Sequence, residues 1–105
     1  MQQQTSSHKL YVLVDSSLSR SQQAVQACHA VIEFALKYGP EWKHQSLVIL
    51  RMKNADEIDE WYLELNTTYK DKCRSVAFFE THWDDRLTAI AVHGGDELFT
   101  DIPLL

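Results

Sequence analysis

KLYVLVDSSLSRSQQAVQACHAVIEFALKYGP, residues 9–40, decides the fold. It opens with a short apolar, β-branched run, Lys9 to Val14, of the kind that forms a buried strand. Asp15 to Ser21 (DSSLSRS) is a loop by composition. Inside it, Ser19 and Gln22 have capping-box spacing, with Ser19 as N-cap, so a helix begins at Arg20. The helix runs to Tyr38, where Gly39-Pro40 stops it: a residue that tolerates a left-handed backbone, then one that cannot continue a helix.

The same alternation continues. Gln45 to Met52 (QSLVILRM) reads as a second buried strand. Asn54 and Glu57 form another capping box, and behind it Ile58, Trp61, Tyr62 and Leu65 make the apolar stripe of an amphipathic helix. Ser75 to Glu80 (SVAFFE) is a third strand and Leu87 to His93 (LTAIAVH) a fourth, ended by Gly94-Gly95. Two strand–helix–strand units imply a parallel core with right-handed crossovers. The short link before the fourth strand makes the last two strands a hairpin or antiparallel neighbours. The expected fold is a three-layer α/β/α domain with a mixed four-stranded sheet, in the order strand, helix, strand, helix, strand, strand. It forms a single domain over residues 9–105, preceded by a polar, frayed segment over residues 1–8.

Composition limits what such a domain does. The chain has 105 residues, 45% of them hydrophobic and 24% charged. That is one globular domain with its own core, not a disordered chain or a coiled coil. Lys and Arg number 10 against 15 Asp and Glu, a formal net charge of −5, so this is no general polyanion binder. Nucleic acid would be met through a local patch. Binding would then be weak and steeply salt-dependent, with Arg20, Lys43, Lys53, Lys70, Lys72 and Arg74 as the available cations. The two cysteines, Cys28 and Cys73, are too few for a disulfide framework. Cys28, mid-helix in apolar sequence, reads as a buried, inert thiol. No signal peptide and no membrane-spanning run is visible, so the expectation is a soluble cytoplasmic protein.

Ligands of open α/β sheets bind beyond the carboxyl ends of the parallel strands. Two polar loops converge there, Asp15 to Ser21 and Glu80 to Arg86. The first leads into a helix N-terminus, which favours an anion. The second carries carboxylates, a hydroxyl and the His82 imidazole, the material of acid–base work. Glu80 ends an apolar strand, and burial there would raise its pKa. The first helix is apolar around most of its circumference, as if packed on several sides. Its polar residues Gln22, Gln26, His29, Glu33 and Lys37 form one line at about 100° per residue. That line either faces water or lines a cleft, and His29 is either a core histidine bonded to a carbonyl or part of a site. Gln22 and His29 stand about 10 Å apart along the axis, so they do not share one substrate atom. No metal-ligand spacing, dinucleotide fingerprint or P-loop is present.

The first strand, its loop and Ala24-Val25-Gln26-Ala27-Cys28-His29-Ala30 resemble the type 2 peptidyl-tRNA hydrolases. That family opens its first helix with Ala-Ala-Gln-x-x-His-Ala. The likeness extends through the element order to the tail, where Phe99-Thr100-Asp101-Ile102-Pro103-Leu104-Leu105 looks like an ending of Val-Thr-Gly-x-Leu-Lys-Leu type. The resemblance implies a dimeric domain that hydrolyses the ester between a peptide and the terminal ribose of tRNA, with no metal or organic cofactor. It carries over Gln26 and His29. The family's helix-start lysine falls on Gln22, and the basic residue ending its first strand falls on Asp15. Its Asp-Ala-Gly-x-Thr segment falls on Glu80-Thr81-His82-Trp83-Asp84 in a shortened loop.

The site this implies has Glu80 as base or water-orienting group and Gln22 as a neutral donor in the lysine's place. Thr81 donates to the ester oxygen, and His29 and Gln26 order the helix face. Arg20 meets a phosphate, and His82 lies on the substrate side. A non-catalytic module of the same fold, holding tRNA or a protein, is the alternative. A different hydrolase using His82 with Asp84 or Asp85 ranks third.

Overall fold

Both N-cap residues act as the sequence predicts, although the return bond of a full capping box is made at neither helix. Ser19 Oγ accepts from the Gln22 amide at 3.2 Å, and Asn54 Oδ1 accepts from the Glu57 amide at 3.0 Å. Each satisfies one of the free N–H groups at a helix start. In the computed structural model, which describes residues 9–39 and 46–102, the helices they open are α1 (Arg20–Tyr38) and α2 (Ala55–Asn66). Gly39 ends α1 at φ +57°, a backbone that favours glycine. The strands are β1 (Lys9–Asp15), β2 (Ser46–Met52), β3 (Cys73–Glu80) and β4 (Arg86–Gly94). The expected frayed segment 1–8, residues 40–45 with Lys43, and the last three residues of the family-like tail lie outside the described residues.

The sheet order is β2-β1-β4-β3. β1 pairs with β2 in parallel, while β4 is antiparallel to both β1 and β3. The mixed four-stranded sheet therefore forms, but the expected parallel core shrinks to one pair. β3 follows α2 back in the direction of β1, yet sits beyond β4 instead of beside a parallel neighbour. The reason lies in β4: Leu87 to Val92 are all buried, so this strand takes an interior position. The β3–β4 link is a single turn of 3₁₀ helix, Thr81–Trp83, followed by Asp84 and Asp85 at positive φ, which aspartate tolerates better than most residues. At the far end of this hairpin, Gly94 (φ +93°) passes so close to Lys72 and Cys73 that a Cβ would lie 3.1 Å from the Lys72 carbonyl oxygen.

Alternate residues of β1 feed two cores. Tyr11 and Leu13 join Leu50, Met52, Leu87, Ile90 and Val92 under α2, whose Ile58 and Leu65 are buried. Leu10, Val12 and Val14 join Ala89 and Ala91 under α1, which contributes Ala27, Ala30 and Phe34. The two alanines let α1 approach the sheet closely, and Phe34 closes the far end. One helix covers each face, giving the three layers.

Two packing expectations are corrected. α1 is buried on one side only: Val25, Ile32 and Leu36 are exposed, and so is Cys28, expected to be buried. Helical periodicity alone does not distinguish solvent from a second packing layer. Tyr62, placed on the α2 core stripe, is also exposed and meets the Phe79 ring edge-on at 5.6 Å.

Candidate functional site

β1 and β3 run in the same direction, so the polar loops that follow them meet at one end of the sheet as the sequence implies. Between them lies a chain of side-chain hydrogen bonds. Gln26, fully buried on α1, donates from Nε2 to Glu80 Oε1 at 2.9 Å. Its Oε1 accepts from the buried Thr88 hydroxyl on β4 at 2.7 Å. The same Nε2 also lies 3.2 Å from Gln22 Oε1, one turn earlier on α1. On the other side, Glu80 Oε2 accepts from the His82 amide at 3.2 Å and lies 3.0 Å from His82 Nδ1.

These donors reverse the expected direction of the Glu80 pKa. The Gln26 side chain, then the His82 ring and amide, stabilise the carboxylate and lower its pKa from 4.5 to about 2. Burial opposes this more weakly. Glu80 is thus ionised at neutral pH and accepts only, so His82 Nδ1 carries the proton that faces it. In the neutral ring this leaves Nε2 as the basic nitrogen. The His82 side chain is 88% exposed, so Nε2 is open to solvent.

A second carboxylate, Asp15, ends β1 beside this network. It is fully buried, with Oδ1 accepting from Ser17 N at 2.9 Å and Ser17 Oγ at 2.6 Å, and Oδ2 paired with Arg86. Gln23 donates to the Leu18 carbonyl at 2.7 Å and fixes the loop from within, although its Oε1 and the Arg86 Nε are buried without partners. Asp15 stands where the resemblance has a basic residue, and its charge is matched internally by Arg86.

The structure joins Gln22, Gln26, Glu80 and His82 in one network. Thr81 is exposed at the start of the 3₁₀ turn and outside it, and Arg20 is exposed at the first turn of α1. His29 is exposed, one turn beyond Gln26, with its ring stacked on Phe78 at 4.4 Å between centroids and 5° between planes. It is therefore no core histidine. His82 pairs with Glu80 and not with Asp84 or Asp85, whose positive φ serves the turn. Sequence reasoning missed Thr88, which is hidden in an apolar strand. A polar residue inside such a run is the signal that marks it. Among the described residues no group of three or more His, Cys, Asp or Glu side chains is placed to hold a metal ion. No described helix is long and apolar enough to cross a membrane.

A separate concavity of about 560 Å³ opens at the amino end of β1, lined in part by Tyr11, Val48, Leu50 and Phe99, with Asp96 and Glu97. Burial, then the Asp96 charge, raise the Tyr11 hydroxyl pKa there. It has no part in the network, and the hydrogen-bonded carboxylate and imidazole mark the more chemically capable end of the sheet. No protein-family model and no curated protein matches this chain.

Proposed function

We propose that this chain is a peptidyl-tRNA hydrolase-like ester hydrolase with an altered active site. The observation that carries the reading is the buried bond from Gln26 to Glu80, which ties the helix motif of the resemblance to the loop after β3. Glu80 acts as an orienting group and not as the base, because its pKa of about 2 makes it a poor proton acceptor. His82 is the base: Glu80 holds Nδ1–H, and Nε2 takes a proton from water as its oxygen attacks the ester carbonyl carbon. The tetrahedral intermediate then expels the ribose oxygen, which recovers that proton. Gln22, its Oε1 engaged by Gln26, offers its amide Nε2 to the developing oxyanion. Thr81 is a further donor at the loop, and Arg20 a phosphate contact. The reading carries a tRNA substrate, a homodimer, no cofactor and a cytoplasmic setting.

The alternative, a module of the same fold that binds tRNA or a protein without hydrolysis, is favoured by the same low Glu80 pKa and by the missing helix-start lysine. Peptidyl-tRNA hydrolysis by purified protein separates the two. Turnover that falls about 10²–10⁴-fold in His82→Ala supports the hydrolase. No turnover in the wild-type protein selects the binding module.

A further inference from the structure

β2 is an edge strand, and among the described residues nothing pairs with its outer side. The Met52 carbonyl at its end accepts from the Ser16 amide at 2.9 Å and from the Ser16 hydroxyl at 2.8 Å. Backbone groups alternate in direction along a strand. Those of Val48 and Leu50 therefore turn toward β1 with Met52, and those of Leu47, Ile49 and Arg51 turn outward. The helices lie over other strands: α1 packs on β3, β4 and β1, and α2 mainly on β4. Leu47 is accordingly 48% exposed, and Val48 and Ile49 are only partly buried. The other edge of the sheet differs. There the β3–β4 ladder shifts register between Phe78 and Phe79, an irregularity that twists an edge away from new pairing. β2 pairs in unbroken register, contains no proline and holds one charge, Arg51. Beside it opens the concavity of about 560 Å³, walled by Val48 and Leu50 of β2 and by Tyr11 and Phe99, with Glu97 in its lining.

We propose that the outer edge of β2 takes up an extended peptide strand of another protein, with an arginine or lysine of that strand laid in the concavity toward Glu97. Only an extended backbone answers the outward groups of Leu47, Ile49 and Arg51 in step. Its side chains opposite Val48 and Leu50 fall on the concavity's face of the sheet, because paired residues share a face. The added strand lies about 5 Å from β2 and about 10 Å from β1. An arginine or lysine spans that reach, with its methylene stem on Val48 and Leu50 and its charge at the acidic rim. A valine or serine does not. Lys9 and Asp96 also line the concavity and are already engaged within the protein, so the counter-charge assigned to the strand is the exposed Glu97. The net charge of −5 favours a partner of the same positive sign. A small organic cation would fill the concavity and leave the edge unpaired. The concavity opens at the amino end of β1 and the Glu80 network lies at its carboxyl end, so this site is independent of the proposed hydrolysis.

The test is fluorescence anisotropy with a labelled peptide of the length of β2, alternating threonine and valine, with arginine in place of the central valine. Methylating the alternate peptide amides that face solvent is expected to leave binding intact. Methylating the other alternate set, which donates to β2, is expected to weaken it about 10-fold or more. Ile49→Pro removes an outward N–H without touching the β1 ladder, so it is expected to fold and to lose binding. Circular dichroism checks its fold, and the methylated peptides probe the same edge on the wild-type protein. Glu97→Gln is expected to weaken the arginine peptide about 2- to 5-fold and to leave a glutamine-for-arginine peptide unchanged. The proposal is overturned by equal binding of the two methylated peptides, by equal binding of the arginine and glutamine peptides, or by a folded Ile49→Pro variant that binds like wild type. Free arginine amide binding as tightly as the peptide would overturn it in favour of a small cation. Self-association at β2 that excludes the peptide would overturn it in favour of a second copy. Ester turnover, or its absence, moves none of these readouts.

Discussion

Asp15 and Glu80 end two strands that run in the same direction, with β4 between them, at one end of the sheet. Both are buried carboxylates. Asp15 is closed in by its own loop, through the Ser17 amide and hydroxyl and Arg86. Glu80 takes donors from a distant helix and from a ring that faces solvent. The first arrangement locks a loop, while the second connects the interior to a basic nitrogen at the surface. Burial of a carboxylate is therefore a poor guide to a site, and where its donors lead is the better one.

The largest expected effect is on the closed carboxylate. Arg86→Ala leaves Asp15 buried with only its Ser17 donors, and removing one partner of a buried pair costs about 3 kcal/mol or more. Partial exposure of Arg86 puts this variant at the low end. Urea denaturation measures it, and a loss under 1 kcal/mol would mean that Asp15 is not held as described. Asp15→Asn is expected to destabilise the fold while leaving hydrolysis per folded molecule unchanged.

At the open carboxylate the effect moves from stability to rate. Glu80→Gln is expected to lower turnover on the order of 10²-fold, through loss of His82 orientation. Its pH signature is separate. The folded pKa is depressed, so its contribution to stability is complete above the ordinary carboxylate pKa of 4.5 and is lost as pH falls toward about 2. Thermal melts between those values should show a fall in wild type that Glu80→Gln lacks. Parallel curves would erase the contrast between the two carboxylates.

Thr88→Val sharpens the comparison from beneath. It strands the buried Gln26 Oε1, at a cost of about 1–3 kcal/mol, and loosens the amide that holds Glu80. Both stability and turnover should drop, whereas a purely structural threonine would move only the first. The smallest change is Gln22→Lys, which adds charge at the proposed oxyanion. Charge-assisted hydrogen bonds are roughly twice as strong as neutral ones, so turnover should rise, offset in part by a cation near a helix N-terminus. A folded Gln22→Lys variant with no turnover would favour the binding module.

Much of the architecture is written locally. Ser19 and Asn54 mark both helix starts, and the apolar runs mark four strands because each signal lies within a few residues. The place of β4 between β1 and β3 has no such signal, because it depends on which strands share a burial requirement across the whole chain. The convergence of the two loops was legible from topology, and Gln26 from the helix motif. The Glu80 pKa was not. The apolar SVAFF before it suggests desolvation, while the donor that outweighs this sits 54 residues away on Gln26. Thr88 went unread for the same reason: its partner is 62 residues distant.

The interior position of β4 also bears on how the chain assembles as it leaves the ribosome. β3 has a single neighbour in the sheet, and that neighbour is made after it. Until residue 94 has emerged, β1 has one unpaired side and β3 has none of its cross-strand bonds, so the apolar stretches Leu10–Val14 and Val76–Phe79 present open edges. Open apolar edges are templates for pairing with other chains. A chain interrupted before β4 should therefore aggregate and not hold a partial fold, and cooperative folding of this sheet waits on β4.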